Sequence, residues 1–90
     1  LPFEVYINGK RQKGVIPRGS ELGKVRIIAG FDTSSELRVA GKLVQDYGGD
    51  DWKWQKKGGI IESKYQTYDV HWYEYEGKQF EAKLKGVKNK

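Results

Sequence analysis

YQTYDVHWYEYEGKQFEAKLKG, residues 65–86, decides the fold of this 90-residue chain, because it carries a clear strand pattern. β-Branched and aromatic residues alternate with polar ones on both sides of Glu76-Gly77, as in the two strands of a β-hairpin. A three-residue loop that ends at Gly77, with this glycine in the left-handed conformation, places Trp72 opposite Phe80. We therefore predict a hairpin whose core face holds both aromatic residues.

The three-residue loop is favoured because it sorts the two faces of the hairpin. A two-residue loop would set Trp72 against Glu81 and Val70 against Lys83, so that apolar residues would oppose charges. The apolar pairs of the favoured register are Trp72–Phe80, Val70–Ala82 and Tyr68–Leu84, and its polar pairs are Tyr73–Gln79, His71–Glu81 and Asp69–Lys83.

An Asn-Gly dipeptide at residues 8–9 predicts a second hairpin near the amino end. A two-residue type I′ turn needs positive φ at both central positions, and these two residue types tolerate it best. The register of this hairpin sets Tyr6 against Arg11 and Glu4 against Lys13, which gives one opposite-charge pair on the polar face.

The middle of the chain also alternates with a period of two. Residues 36–47, ELRVAGKLVQDY, are interpreted as a strand in which Gly41 marks a bulge or bend. Helix is expected only as a turn near residues 20–23 or 55–57. Residues 24–31, KVRIIAGF, are interpreted as a strand with an inward face made of Val25, Ile27, Ala29 and Phe31.

Five or six mostly antiparallel strands in one short chain predict an all-β domain over residues 1–90, with 86–90 as a fraying tail. We expect a small barrel, SH3-like or OB-like. The stretches GKVRIIAGFD, LRVAGKLV, YDVHWYE and KQFEAKL resemble Tudor and chromo-barrel modules, which are SH3-like barrels, over about half the chain. The resemblance implies a fold alone, because the DTSSE loop lacks the aromatic residues that cage a methylated lysine in those modules and residues 45–67 are atypically long.

The chain is basic, with 17 lysines and arginines against 12 acidic residues and a net charge of +5. Residues 10–26 hold six of the cations and residues 76–90 hold five lysines, while the rest of the chain is acidic on balance. If the fold brings the two basic segments together, they form a positive face that attracts nucleic acid or another polyanion.

Several classes of site have no support in the composition. There is no cysteine, hence no disulfide and no cysteine metal site, and no apolar run approaches the ~18 residues of a membrane span. The chain has no methionine and starts at Leu1, so we expect a processed protein or a piece of a longer one. Its compartment stays open between the cytoplasm and secretion.

The sequence also argues against catalysis. His71 is the single histidine, and the favoured hairpin register puts it on the solvent face beside Glu81. No nucleophile motif surrounds the serines, residues 19–24 lack the spacing of a phosphate loop, and no zinc ligand set is present. We therefore expect a protein without enzymatic activity, cofactor or metal.

Trp52 and Trp54 admit two interpretations. In an extended segment both indoles point to one side and Lys53 to the other. The rings then either seal an end of the barrel or form a stacking platform for single-stranded nucleic acid or carbohydrate.

We predict a binding module with a basic surface for nucleic acid or another polyanion and with aromatic stacking. One alternative is a protein-interaction module or accessory subunit that docks through an edge strand and the Trp52/Trp54 loop, and another is a secreted glycan- or surface-binding domain. The predicted binding residues are Trp52, Lys53, Trp54, Lys56, Lys57, Tyr73, Lys10, Arg11, Lys13, Arg26 and Lys83.

Overall fold

Strands make up most of the computed structural model of this chain, which describes residues 4–7, 10–13 and 21–90, with side chains from residue 22 onward. One α-helix of eight residues and one short 3-10 turn lie between the third and fourth strands. The elements are β1 (Glu4–Ile7), β2 (Lys10–Lys13), β3 (Glu21–Gly30), α1 (Ala40–Tyr47), the 3-10 turn (Asp51–Lys53), β4 (Gln55–Glu62), β5 (Gln66–Tyr75) and β6 (Lys78–Asn89).

The described strands form two antiparallel sheets. β1 and β2 make a ribbon in which Tyr6 pairs with Arg11 and Glu4 with Lys13, which confirms the predicted register. The other four strands form one sheet in the order β3-β4-β5-β6, and β1 contacts β6. This sheet is open, with β3 and β6 as its edges among the described residues. The mostly β prediction is therefore confirmed, whereas the closure of an SH3-like or OB-like barrel is not seen.

Residues 36–47 are not the predicted strand, because they contain α1. Val39, Leu43 and Tyr47 are spaced by four, and a spacing of four satisfies both the period of two of a strand and the turn of a helix. Leu43 is buried in the structure, and Tyr47 packs on neighbouring aromatic rings. Gly41 is a helical residue and marks no bulge. The sheet thus lacks the strand that would have extended it toward a barrel.

One face of the four-stranded sheet carries the main apolar core. Trp72 is 2% exposed and belongs to this core, as predicted. Its other members are Ile61, Tyr68, Val70 and Ala82, with Leu22 and Leu84 packed against them. Alternate residues of β5 from Tyr68 to Trp72 supply the centre, so the parity that the sequence indicates for this strand is correct.

The predicted loop of the β5–β6 hairpin is wrong. Tyr75 pairs with Lys78 and Tyr73 with Phe80, so that only Glu76 and Gly77 form the turn. These two turn residues have φ values of 47° and 82°, as a type I′ turn requires. Phe80 therefore lies opposite Tyr73, on the face that does not carry Trp72. The other predicted pairs also differ, because the structure joins Val70–Leu84, Tyr68–Val87, His71–Lys83 and Asp69–Gly86.

A bulge at Glu81 explains why the argument from face sorting failed. Glu81 has a φ of 52°, and the ladder shifts between the pairs Tyr73–Phe80 and His71–Lys83. The extra residue reverses the parity of β6, so that Ala82 returns to the core face. A two-residue turn is therefore compatible with one apolar face, which a regular ladder would not allow.

The predicted inward face of β3 is mostly wrong. Val25 is 51% and Phe31 47% exposed, and of the four expected residues only Ala29 is buried. Register shifts beside Lys24, which has a φ of 51°, and after Ile27 interrupt the alternation along this strand. At the opposite edge of the sheet, β6 continues to Asn89. Most of the predicted tail, residues 86–90, therefore pairs with β5.

Two glycine substitutions test the helix and its junction with β3. Gly41→Ala should stabilise the protein by up to ~1 kcal/mol, because Gly41 lies in α1 and an added Cβ meets no neighbour. Gly30→Ala should destabilise it by more than ~1 kcal/mol, since Gly30 has a φ of 91° and the new Cβ would overlap the Trp54 carbonyl oxygen. Urea unfolding measures both changes, and a loss of stability for Gly41→Ala would contradict the helix.

Candidate functional site

The sheet face opposite the main core is covered at its hairpin end by an aromatic cluster, which we define as Tyr47, Trp54, Tyr75 and Phe80. Trp54 is 1% exposed, and its ring centroid lies 5.1 Å from those of Tyr75 and Phe80 and 6.0 Å from that of Tyr47. Its indole Nε1 donates a hydrogen bond to the carbonyl oxygen of Gly48 at 3.1 Å. Trp54 is thus buried among other rings, although the barrel end that the first interpretation has it seal is not seen.

Trp52 is separated from this cluster. The 3-10 turn Asp51–Lys53 interrupts the chain, so the extended segment in which both indoles would point to one side is not present. Trp52 is 59% exposed, with its ring centroid 5.6 Å from that of Phe31 and 5.2 Å from the Lys53 Nζ. The buried and the exposed tryptophan therefore have different roles.

Beyond the aromatic cluster, the same face becomes basic. Lys56 on β4 pairs with Tyr73 on β5, and His71 on β5 pairs with Lys83 on β6. Together with Lys85 these side chains surround a shallow depression, which Glu81 also lines. We call Arg26, Lys56, Lys83 and Lys85, with His71 and Tyr73 between them, the basic face.

The lysines of the basic face are close enough to affect one another. The pKa of Lys56 is lowered, first by burial and then by the positive charges of Lys85 and Lys83. Among the described residues, no carboxylate forms an ion pair with Lys56 or Lys85. Burial and the neighbouring lysines thus disfavour the charged form of Lys56, and an anion bound beside it would favour that form.

Two predicted lysines are neutralised elsewhere. The Lys53 Nζ lies 3.4 Å from the Glu76 Oε1 and 3.8 Å from the Asp50 Oδ2, and the hydrogen bond to Glu76 is the main cause of its raised pKa. Lys57 pairs with Glu74 on the core side of the sheet. Both side chains thus point their charges at carboxylates away from the depression of the basic face.

His71 lies inside the basic face, opposite Lys83. The prediction that it pairs with Glu81 on an open surface is wrong. The Arg26 Nη2 lies 3.4 Å and the Asp69 Oδ1 3.7 Å from the His71 Nε2, while the His71 Nδ1 is buried without a described partner. Burial is the main cause of its lowered pKa; Asp69 opposes this shift, whereas Lys56, Lys85 and Arg26 add to it.

Glycine at position 58 makes room for the two side chains that approach from either side. An added Cβ there would lie 3.0 Å from the His71 ring and 3.1 Å from the Arg26 guanidinium carbon. Gly58 therefore allows Arg26 and His71 to meet across β4, which separates their strands.

Tyr73 is half-buried between the lysines. Burial raises the pKa of its hydroxyl, and the Glu81 carboxylate raises it further. The Glu81 Oε2 in turn accepts a hydrogen bond from the Tyr47 hydroxyl at 2.9 Å. This carboxylate marks the boundary between the aromatic cluster and the basic face.

The structure brings together four of the eleven predicted binding residues: Arg26, Lys56, Tyr73 and Lys83. The side chains of Lys10, Arg11 and Lys13, on β2, lie outside the described residues. His71 and Lys85 were missed as binding residues. The alternation of residues 82–85, Ala-Lys-Leu-Lys, carries the signal for Lys85, because it gives this residue the same parity as Lys83.

The chain matches no known family model, and comparisons with curated proteins and with solved structures gave no significant match. Among the described residues, no group of three or more histidine, aspartate or glutamate side chains is placed to hold a metal ion. No helix in the described part of the chain is long and apolar enough to cross a membrane.

The lowered pKa of His71 predicts a loss of stability as the pH falls below about 6.5, the ordinary histidine value. In this range the unfolded chain binds a proton that the folded chain binds only at lower pH, and the loss ends once the folded pKa is passed. Urea unfolding between about pH 7.5 and pH 5.5 measures the effect. The free energy of unfolding of His71→Gln should change less, and equal changes in both proteins would contradict the assignment.

Proposed function

We propose that this protein is a non-enzymatic binding module for polyanions and that single-stranded nucleic acid is the ligand of its basic face. The convergence of Lys56, Lys83 and Lys85 on a half-buried tyrosine is the observation that carries this proposal. These three cations come from two strands that flank β5, and their mutual repulsion favours an anion between them.

The extent of the face favours a chain of phosphates over a single anion. Neighbouring strands lie about 4.8 Å apart, so the backbones that carry Lys56 and Lys83 are roughly 10 Å apart across β5. Basic side chains that start from backbones spread over this width offer contacts to more than one phosphate of a nucleic-acid backbone. Such contacts position a strand without reading its sequence.

Tyr73 supports the single-stranded form of the ligand. Its ring is half-buried and lies between the lysines, where an unpaired base can stack on it while the flanking phosphates meet Lys56 and Lys83. A duplex keeps its bases paired and offers only phosphates. The predicted stacking residues Trp52 and Trp54 are not part of this arrangement.

The β1–β2 ribbon belongs to the proposal as well. It carries Lys10, Arg11 and Lys13, and the contact between β1 and β6 supports a position of the ribbon beside the basic face. A ribbon that bridged β6 and β3 would also complete the SH3-like or OB-like barrel.

A protein-interaction module is the second candidate, favoured by the edge position of β3 and by the exposed Val25 on it. An extended peptide would pair with the free backbone groups of this edge. Amide shifts along β3 on addition of a partner would support it, whereas shifts across β4, β5 and β6 on addition of an oligonucleotide support the first proposal.

Removal of two lysines tests the basic face. Lys56→Gln/Lys85→Gln should lower the affinity for fluorescein-labelled oligo(dT) about tenfold at low salt and should reduce the slope of log K against log salt by about 1.4, or about 0.7 for each lost phosphate contact. Fluorescence anisotropy over a salt series measures both quantities.

The matched control for this experiment is Lys42→Gln/Lys64→Gln, which removes the same charge from exposed positions on α1 and on the β4–β5 connection. We expect this control to lose less than half as much of the slope. Equal effects of the two double variants would show that binding depends on net charge alone and not on the basic face. Salt-independent or undetectable binding of the wild type would refute the proposal.

A further inference from the structure

A cleft of about 540 Å³ lies between the loop after β3, the start of α1 and the 3-10 turn. The cleft is largely open to solvent, so it can receive a side chain from a partner without burying a whole small molecule. None of the residues of the basic face lines it, so it is a separate site. The lining residues that matter for its chemistry are Phe31, Asp32, Glu36, Arg38, Asp51 and Trp52.

Two exposed aromatic rings form a corner of this cleft. Phe31 and Trp52 meet with their centroids 5.6 Å apart and their planes inclined by 63°, and about half of each side chain is open to solvent. Adjacent exposed aromatic residues are costly in water and indicate a binding surface. A corner of two inclined rings suits a compact cation better than a flat sugar ring, which needs one open plane.

The Trp52 ring already attracts a cation within the molecule. The Lys53 Nζ lies 5.2 Å from the ring centroid, although this ammonium group also contacts Glu76 and Asp50. The π face of this indole therefore has the electrostatic character that a cationic ligand needs.

The charge of the cleft is opposite to that of the protein. Asp32, Glu36 and Asp51 line it, and among the described residues none of these carboxylates forms an ion pair. Among the described residues of the lining, Arg38 has the one cationic side chain, so three carboxylates share the cleft with one guanidinium. In a chain with 17 cationic side chains, unpaired carboxylates around an aromatic corner leave room for a cation from outside.

Internal hydrogen bonds fix the loop that carries the cleft. The Thr33 Oγ1 donates to the Gly30 carbonyl oxygen at 2.8 Å, and the Gly30 amide donates to the Ser35 carbonyl oxygen at 2.9 Å. The Phe31 amide donates to the Trp54 carbonyl oxygen at 3.1 Å, which ties the loop to the aromatic cluster. A cleft ordered before binding loses little entropy when a ligand enters.

We infer that this cleft binds a lysine- or arginine-bearing peptide segment of a partner protein, with the cationic side chain in the Phe31/Trp52 corner and its charge beside Asp32 and Asp51. The carboxylates repel the polyanion that the basic face attracts. One protein could therefore hold a nucleic acid and a basic protein segment at different places.

Titration with the peptide acetyl-Gly-Lys-Gly-Lys-Gly-amide tests this inference, read in every variant by amide shifts. Trp52→Ala should raise the Kd roughly three- to tenfold, as loss of a cation–π contact predicts. Asp32→Asn/Asp51→Asn should raise it by a similar factor and should reduce its salt dependence. Both substitutions affect exposed side chains, so the fold should persist.

Matched controls exist for both variants. Tyr65→Ala removes an exposed aromatic ring that also has a lysine ammonium group over it, at 5.3 Å, and Asp46→Asn/Glu62→Gln removes two exposed carboxylates elsewhere. Neither control should change the Kd. The Lys56→Gln/Lys85→Gln protein should bind the peptide as wild type does, so failure of the nucleic-acid proposal would leave this result intact.

Four outcomes would overturn the inference. Equally tight binding of a peptide with both lysines acetylated would show that no cation is recognised. An unchanged Kd for Trp52→Ala would show that the aromatic corner takes no part. Binding of cellopentaose without binding of the peptide would assign the cleft to a glycan. Self-association of the chain that Trp52→Ala abolishes would assign it to a second copy.

Discussion

The burial of two tryptophans on opposite faces of one sheet is the constraint on which the rest of this structure depends. Trp72 packs in the main core, and Trp54 packs against Tyr47, Tyr75 and Phe80 on the other face. Truncation of such a buried ring typically costs about 3–5 kcal/mol. An antiparallel sheet often has one dry and one wet face, but here α1 and the turn after it cover part of the second face as well.

The partial cover determines where the cations lie. Lys56 follows Trp54 by two residues and Tyr73 precedes Tyr75 by two, so the alternation of the strands carries both from the aromatic cluster onto the open part of the same face. The bulge at Glu81 brings the lysines of β6 onto this face as well, because a regular ladder would turn them toward the core. The basic face is thus a consequence of packing and of irregular pairing along β6.

Local patterns could be predicted from the sequence, whereas irregular backbone could not. The place of Trp72 in the core and the pairing of the first hairpin were correct, because each depends on alternation or on one dipeptide. The bulge escaped prediction, since nothing around Glu81 marks a non-glycine residue with positive φ. The helix escaped it because apolar residues four apart fit both periods. For the candidate site, cations of neighbouring strands could be assigned to one binding surface from the sequence. The separation of Trp52 from the aromatic cluster could not, because it depends on a 3-10 turn that no sequence pattern indicates.

Fluorine NMR of protein labelled with 5-fluorotryptophan tests the two-sided burial most directly. The three resonances can be assigned by single tryptophan-to-phenylalanine substitutions and then exposed to a soluble gadolinium chelate. We expect strong broadening of Trp52 alone, with Trp54 and Trp72 protected to a similar degree. Broadening of Trp54 as strong as that of Trp52 would show an uncovered second face and would contradict this account.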